Sequence, residues 1–326
     1  MPINFLKNKT ILITGGTGSF GSNFVKYLLK NSSTKKIIVF SRDELKQSKM
    51  EAEIKDKRLR CFIGDIRDLP RLQRAFYGVD IVVHAAALKQ IPAIEYNPME
   101  AIKTNIIGTA NVIDAAIDNN VKKIILISSD KAVNPVNLYG ATKLCAEKLF
   151  IQANSYASGK GISFSCVRYG NVIGSRGSVT PLFLKQKEEG ILTLTDKRMT
   201  RFWITIEQGI NLVINCINNM KGGEIFVPKL PSMKIVDMAK IIAPTAKIKV
   251  IGIRPGEKLH EVLLSPEEAF HSKEFSEYFV IKPEFSFWHK QNYKTGKTLP
   301  INFKYSSDAN NEWLNEKQMK QFLENL

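Results

Sequence analysis

A chain of 326 residues with 44% hydrophobic and 24% charged content can bury a sizeable core, which excludes disorder as its default state and allows one large domain or two moderate ones. A net charge of +16 suggests an anionic partner, but the lysines are spread along the whole chain, with no block of like charge and no basic stretch interleaved with aromatics, so a generally basic surface is favoured over nucleic-acid binding. No apolar run reaches the ~18 residues that span a bilayer. No signal peptide precedes the first strand, and Cys61, Cys145, Cys166 and Cys216 are widely separated; together these features predict a soluble cytoplasmic protein with buried free thiols. None of His84, His260, His271 and His289 pairs at ligand spacing, so no metal site is expected.

Residues 11–14 read as a short buried strand, followed by Gly15-Gly16-Thr17-Gly18-Ser19-Phe20-Gly21 and an amphipathic helix carrying Phe24, Val25, Leu28 and Leu29. Gly15, Gly18 and Gly21 recur at a strand-to-helix turn, where the missing Cβ lets the backbone approach a pyrophosphate whose charge rests on the helix N-terminus. A tight turn in some other βα unit is the alternative. The next strand, 37–40, leads into Ser41-Arg42-Asp43, with Lys46 one turn on. Arg42, Lys46 and the Ser41 hydroxyl suit the 2′-phosphate of NADP, which is the expected cofactor; Asp43 keeps NAD open, or simply caps the following helix. A strand over 61–65 ends in Asp65, a carboxylate able to accept from an adenine amino group. Another, over 81–87, ends in Ala85-Ala86-Ala87, which leave room for a ligand or pack closely on a helix. Lys89 follows, within reach of the cofactor or a substrate phosphate, and a helix over 98–120 carries Asn105.

Residues 124–127 form a further buried strand, and the chemistry concentrates in the stretch 128–143 that follows it, at the end of an open α/β sheet where ligands bind. Tyr139 and Lys143 are four apart and share a helix face, so the lysine can favour the phenolate. At ~5 Å and an effective dielectric of ~20 the effect is roughly two units from a phenol pKa near 10. A second positive charge, such as an oxidised nicotinamide, has to supply the rest. A strand over 164–168 ends in Tyr169-Gly170-Asn171-Val172, after which Gly174, Arg176, Gly177 and Pro181 break the pattern. A helix over 206–220 and a strand over 224–227 then return to the first sheet. The alternation predicts an α/β fold: a doubly wound parallel Rossmann sheet on residues 1–168 and 205–227, with a smaller C-terminal substrate-binding lobe on 169–204 and 228–326. Arg176, Arg201 and Arg254 are candidates to hold a diphosphate, with ion pairing to the protein as the alternative for each.

With the glycine turn, Ser129, Tyr139 and Lys143 in this order, the chain resembles an extended short-chain dehydrogenase/reductase over essentially its whole length. That resemblance implies a nucleotide-sugar substrate and a nicotinamide cofactor. It places Gly15, Thr17, Gly18, Ser19, Phe20, Gly21, Ser41, Arg42, Asp43, Lys46, Asp65, Ile66, Ala85, Ala86, Lys89, Tyr139, Lys143 and Val172 at the cofactor. The runs 41–46, Asp130-Lys131, 137–143, 168–172, 174–179 and Arg-Pro-Gly-Glu-Lys-Leu-His-Glu at 254–261 are similar to one subgroup, the inverting UDP-N-acetylglucosamine 4,6-dehydratases that begin pseudaminic acid synthesis for flagellin glycosylation. Gln90 departs from it, where histidine is expected. The subgroup implies Lys89, Asn171, Arg176, Gly177, Arg201, Arg254 and Glu257 at the sugar nucleotide, and a homo-oligomer. It also implies roles: Tyr139 removes the proton of the 4-hydroxyl as C4 gives up hydride, Lys131 takes the C5 proton, and Asp130 protonates the departing 6-hydroxyl. Lys131 must then be largely neutral, which burial would favour and an ionised Asp130 would oppose. A retaining dehydratase, a nucleotide-sugar 4-epimerase and a non-catalytic NADP-binding protein are the alternatives.

Overall fold

Strands covered by helices on both faces need mainly apolar sequences, and these supply β1 (Thr10–Thr14), β2 (Lys36–Ser41), β4 (Ile81–His84), β5 (Lys123–Ile127) and β6 (Ser163–Val167); β3 (Leu59–Ile63), parallel as well, is partly exposed. The computed structural model describes residues 3–175, 177–285, 287–288 and 293–324. Ile225–Pro228 pairs in parallel beside β6, and the spatial order is β3-β2-β1-β4-β5-β6 followed by Ile225–Pro228. The order reverses between β1 and β4, which opens a crevice at the carboxyl ends of the strands. The doubly wound sheet is thus the one expected.

Past Ile225–Pro228 the sheet continues with three antiparallel strands, Tyr278–Ile281, Ser272–Glu274 and Lys297–Thr298. These segments fall in the stretch 228–326 expected to form the lobe. Phe279, Val280 and Ile281 are buried in the main core, and their strand covers an edge of Ile225–Pro228 that would otherwise be open to pairing. A separate apolar cluster around Phe183, Leu192, Met199, Trp203, Met233 and Met238 supports the region across the cleft. There Ile191–Leu194 pairs with Lys247–Val250, and Thr200–Ile204 lies between Asn171–Val172 and Ser232–Lys234.

The helix expected over 98–120 consists of Pro98–Ala101, a π-helical segment Ile102–Ile107 and Gly108–Asp118. Such wide turns are uncommon and gather at functional sites. Here the segment carries Asn105, whose side chain accepts from Leu88 N (2.8 Å) and donates to Leu88 O (2.9 Å) and Thr142 Oγ1 (3.0 Å). One amide therefore clamps the loop before Lys89 to the helix of Tyr139.

Two of the four cysteines, Cys166 and Cys216, are buried; Cys61 is partly buried and Cys145 is exposed, all with free thiols. Cys145 corrects the expectation of burial, because it falls on the solvent side of its helix, two residues past the buried Lys143. No helix among the described residues is long and apolar enough to cross a membrane.

Candidate active site

A cleft of about 980 Å³ runs from the glycine turn after β1, past the ends of β4 and β5, to Arg254 and Glu257 on the far side. Gly15 has φ +66°, and a Cβ there would lie 2.8 Å from the Ala86 backbone; a Cβ on Gly21 would lie 2.5 Å from Gly16 Cα. Side chains are excluded at both places, so the turn stays tight against the following helix, Ser19–Asn31. That helix begins at Gly18 with no side-chain cap, which leaves its first amide groups without a capping side chain.

Of the residues expected at a cofactor, Gly15, Thr17, Gly18, Ser19, Phe20, Gly21, Lys46, Ala85, Lys89, Tyr139, Lys143 and Val172 line this cleft. Ser41, Arg42, Asp43, Asp65, Ile66 and Ala86 are not among the residues that line it. The Ser41 hydroxyl is 2.8 Å from that of Thr17. Asp43 caps the next helix, accepting from Lys46 N (2.9 Å) and pairing with Lys46 Nζ, and the Lys46 contacts hold its carboxyl below the usual range. Asp65 receives two hydrogen bonds from the Arg67 guanidinium (2.9 and 2.7 Å) and lies 3.4 Å from Arg42 Nη1. Burial works against its ionisation, and the arginines outweigh that, so its carboxyl also titrates low.

The reactive groups gather where β5 ends. Ser129 accepts from Lys131 N (3.0 Å) and donates to Asp130 Oδ1 (3.0 Å), closing a single 3₁₀ turn over Asp130–Ala132. The helix Leu138–Tyr156 starts at Asn137, whose side chain accepts from Gly140 N (2.8 Å). A Cβ on Gly140 would stand 2.2 Å from Lys131 O, so only glycine lets the first turn of this helix lie on the Lys131 turn. Lys131 and Tyr139 are brought together in this way.

Lys131 Nζ lies 2.9 Å from Asp130 Oδ1 and 3.1 Å from Glu261 Oε1. Burial alone would lower its proton affinity, but the two carboxylates outweigh burial, and the ammonium is held above its usual range. The neutral amine anticipated from burial is therefore not the resting form. Asp130 and Glu261 are both almost fully buried, and Asp130 Oδ2 and Glu261 Oε2 are buried oxygens with no hydrogen-bond partner among the described residues.

Burial raises the Tyr139 phenol. Lys131 and a hydrogen bond with Ser129 favour the phenolate, and Asp130 opposes it. The cation acting on Tyr139 is thus Lys131, a correction to the pairing expected with Lys143. The Lys143 side chain is buried and donates to Ile127 O (2.7 Å); burial pushes it down to about 8, against the pull of Glu147 and Cys166. Helix spacing placed Lys143 on the correct face, but its four-carbon chain ends at the β5 carbonyl.

This depressed lysine makes a stability prediction for the cofactor-free protein. Below pH 8 folded and unfolded chains both carry the Lys143 proton, and the folded state bears the full cost; between 8 and 10.5 the folded chain loses it first. Stability contributed at this position therefore rises with pH in that window. Urea unfolding is expected to show wild type gaining up to about 3 kcal/mol on Lys143→Met across it. An unchanged difference between the two proteins would show that the amine is not desolvated.

Of the residues expected at the sugar nucleotide, Lys89, Asn171, Gly177, Arg201, Arg254 and Glu257 border the cleft, and Arg176 lies outside the described residues. Arg254 is about half exposed, 3.9 Å from Glu257. Arg201 is buried, and its guanidinium donates to Thr200 O (2.7 Å), Leu259 O (3.1 Å) and Lys258 O (3.0 Å), with Nε 3.6 Å from Glu261. Asn171 Oδ1 and Glu257 Oε2 are buried without partners among the described residues. A Cβ on Gly177 would meet Gln90 Nε2 at 2.7 Å, so the residue that departs from the subgroup lies against this wall. Glu261 was missed by sequence reasoning, although it closes the run 254–261. Among the described residues no His, Cys, Asp and Glu cluster is arranged to hold a metal ion.

The sheet, the glycine turn at its switch point and the Tyr139–Lys143 helix that follows β5 define an extended short-chain dehydrogenase/reductase. Within that class the chain belongs to the family described as polysaccharide biosynthesis protein, whose family model matches residues 11–283. It is 52% identical over 324 residues to a Campylobacter jejuni protein named UDP-N-acetylglucosamine 4,6-dehydratase (inverting), covering 97% of each chain. A Rickettsia massiliae protein named UDP-glucose 4-epimerase is 44% identical over 283 residues, 84% of this chain and 83% of that one. The solved structure of Pen from Bacillus thuringiensis superposes with a TM-score of 0.89 at 38% identity, covering 99% of this chain and 100% of that chain.

Proposed function

We propose that this chain is an inverting UDP-N-acetylglucosamine 4,6-dehydratase, acting at the start of a pseudaminic acid route. The observation that carries the reading is the Asp130–Lys131 pair, 2.9 Å apart in the same cleft as Tyr139 and the glycine turn. The full-length similarity to the Campylobacter protein of that name supports it.

The glycine cradle fits a nicotinamide dinucleotide, because a Cβ at Gly15 or Gly21 would collide with backbone and the helix behind starts at a glycine that offers no side-chain cap. When bound, such a cofactor accepts hydride from the sugar and later returns it. Tyr139 takes the proton of the 4-hydroxyl during the oxidation. Lys131 rests as an ammonium, and passing one proton to Asp130 across 2.9 Å creates a neutral amine and a carboxylic acid together. The amine then takes the C5 proton and the acid protonates the departing 6-hydroxyl, which restores ammonium and carboxylate. No proton has to be supplied to this pair during the elimination; as hydride reaches C6, C5 takes one proton on the opposite face, and the 4-hydroxyl proton that Tyr139 gained balances it when the phenol gives it up.

NADP is the proposed form. Asp43 is spent on a helix cap and on Lys46, while Arg42 stands half exposed at the strand end. Arg42→Ala is expected to weaken NADP binding by about tenfold while leaving NAD within about twofold, measured by calorimetry. Equal losses for both would point to NAD. In the proposed division, 1–168 and 205–227 hold the cofactor and 169–204 and 228–326 form the lobe that holds the nucleotide sugar. The reading also carries a cytoplasmic homo-oligomer that engages neither membrane nor nucleic acid, which light scattering and fractionation test.

Incubation with UDP-N-acetylglucosamine in D₂O, followed by NMR, is the deciding experiment. A 4-keto-6-deoxy product of L-arabino configuration with deuterium at C5 is expected. The Rickettsia relative keeps a 4-epimerase reading in play, and a product that retains its 6-hydroxyl would favour it. D-xylo geometry would indicate a retaining dehydratase, and cofactor binding without turnover a non-catalytic protein.

A further inference from the structure

Lys131 sits between two carboxylates, and only Asp130 has a role in the scheme above. We infer that Glu261 is the positioning residue that holds the Lys131 amine in the cleft and maintains it as the proton carrier of the C5 step; the inference rests on the dehydratase reading.

Glu261 is built to be rigid. Its Oε1 lies 3.1 Å from Lys131 Nζ, and its side chain is almost fully buried. Its backbone is clamped on both sides by Ser307: Glu261 N donates to Ser307 Oγ (2.9 Å), and Ser307 N donates to Glu261 O (2.8 Å). Ser307 Oγ is in turn 2.7 Å from Thr200 Oγ1. Arg201 fixes the same segment from behind through the carbonyls of Lys258 and Leu259. Lys258 Nζ donates to Val133 O (2.5 Å), which ties the segment to the loop that carries Lys131.

The charged and titratable groups around the Lys131 amine are Asp130 from its own turn, Tyr139 from the helix Leu138–Tyr156, Arg201 from Thr200–Ile204, and Lys258 and Glu261 from the segment before Val262–Leu264. Arg201 and Lys258 disfavour the ammonium, Asp130 gives up its negative charge when it takes the proton, and Glu261 is the carboxylate that remains to favour it throughout. The counter-charge opposes the first transfer to Asp130 as much as it favours the return to ammonium at C5, so its effect on rate is to hold the amine where both transfers occur. The Lys131–Asp130 transfer conserves charge, and Glu261 takes and gives no proton in it.

The test is trace acetylation of the ligand-free protein across the alkaline range, with labelling of Lys131 followed by mass spectrometry, in wild type and Glu261→Gln. The midpoint for Lys131 is expected to fall by about one to three pH units in the variant. In turnover the variant is expected to lose about 10- to 100-fold in kcat, with KM within about threefold and a larger isotope effect from C5-deuterated substrate. Glu261→Asp, which keeps the charge at a longer reach, is expected to show a smaller shift and covers the case in which Glu261→Gln fails to fold. An unmoved midpoint in a folded variant overturns the inference, as does a loss confined to KM. Labelling needs no substrate, so a wild type that fails to make the 4-keto-6-deoxy product defeats the functional reading alone.

Discussion

Lys131→Met is expected to lower formation of the 4-keto-6-deoxy product by about 10²- to 10⁴-fold, the usual scale for loss of a general base, while C4 oxidation continues. Oxidation depends on Tyr139, and the methionine leaves that helix and its Asn137 cap in place. Substrate would then stall as the ketone, with reduced cofactor accumulating in a burst and C5 retaining its proton in D₂O. Methionine also removes the cation that favours the Tyr139 phenolate, so the burst itself is expected to slow. Lys131→Arg separates the two effects. It keeps a cation between Asp130 and Glu261 but cannot act as a base, so the burst should recover speed and the C5 step should not. If Lys131→Arg also abolishes the burst, Lys131 belongs to the first step, and the assignment of Tyr139 as sole base at the 4-hydroxyl fails.

The central parallel strands were legible because they are buried on both faces and so carry apolar runs; 124–127 became Lys123–Ile127 and 37–40 became Lys36–Ser41, whereas β3 is partly exposed and 61–65 became Leu59–Ile63. The Tyr139 helix was legible because Asn137 caps it and Pro135 cannot continue it backward. Ser272–Glu274 was not legible: three polar residues, second from the edge of the sheet, carry no alternation that distinguishes them from a surface loop. Nor were Glu261 and the commitment of Arg201, since each depends on contacts made far apart in the chain, Glu261 with Lys131, and Arg201 with Glu261 and the carbonyls of Lys258 and Leu259. Sequence spacing reports which helix face a side chain occupies and leaves open what its far end meets. For this reason Tyr139 and Lys143 were correctly placed on one helix, yet Lys131 was the cation that mattered to the phenol.

Arg168→Leu is expected to destabilise the protein by about 3–5 kcal/mol, the cost of stranding a buried charge, measured by urea unfolding. The guanidinium is fully buried, with Nε and Nη2 on Glu147 (2.8 and 2.6 Å) and Nη1 and Nη2 on Glu268 (2.9 and 2.7 Å). It joins the end of β6, the helix of Tyr139 and the turn Pro266–Ala269. The two carboxylates differ in what removal does to them: Glu268 is partly exposed and can be hydrated, whereas Glu147 is fully buried and cannot. Arg168→Leu combined with Glu147→Leu should therefore recover much of the loss, because an apolar pair in place of a buried ion pair is often neutral. Simple addition of the two single costs would show that Glu147 is solvated in the single variant. The consequence reaches the active site by two paths. Asp130 N donates to Tyr169 O (3.3 Å), one residue past Arg168, so movement of this strand end moves the acid. Glu147 also favours the Lys143 ammonium, and without its arginine that pull is undiluted, so Lys143 in Arg168→Leu should titrate above the value of about 8 that burial now imposes.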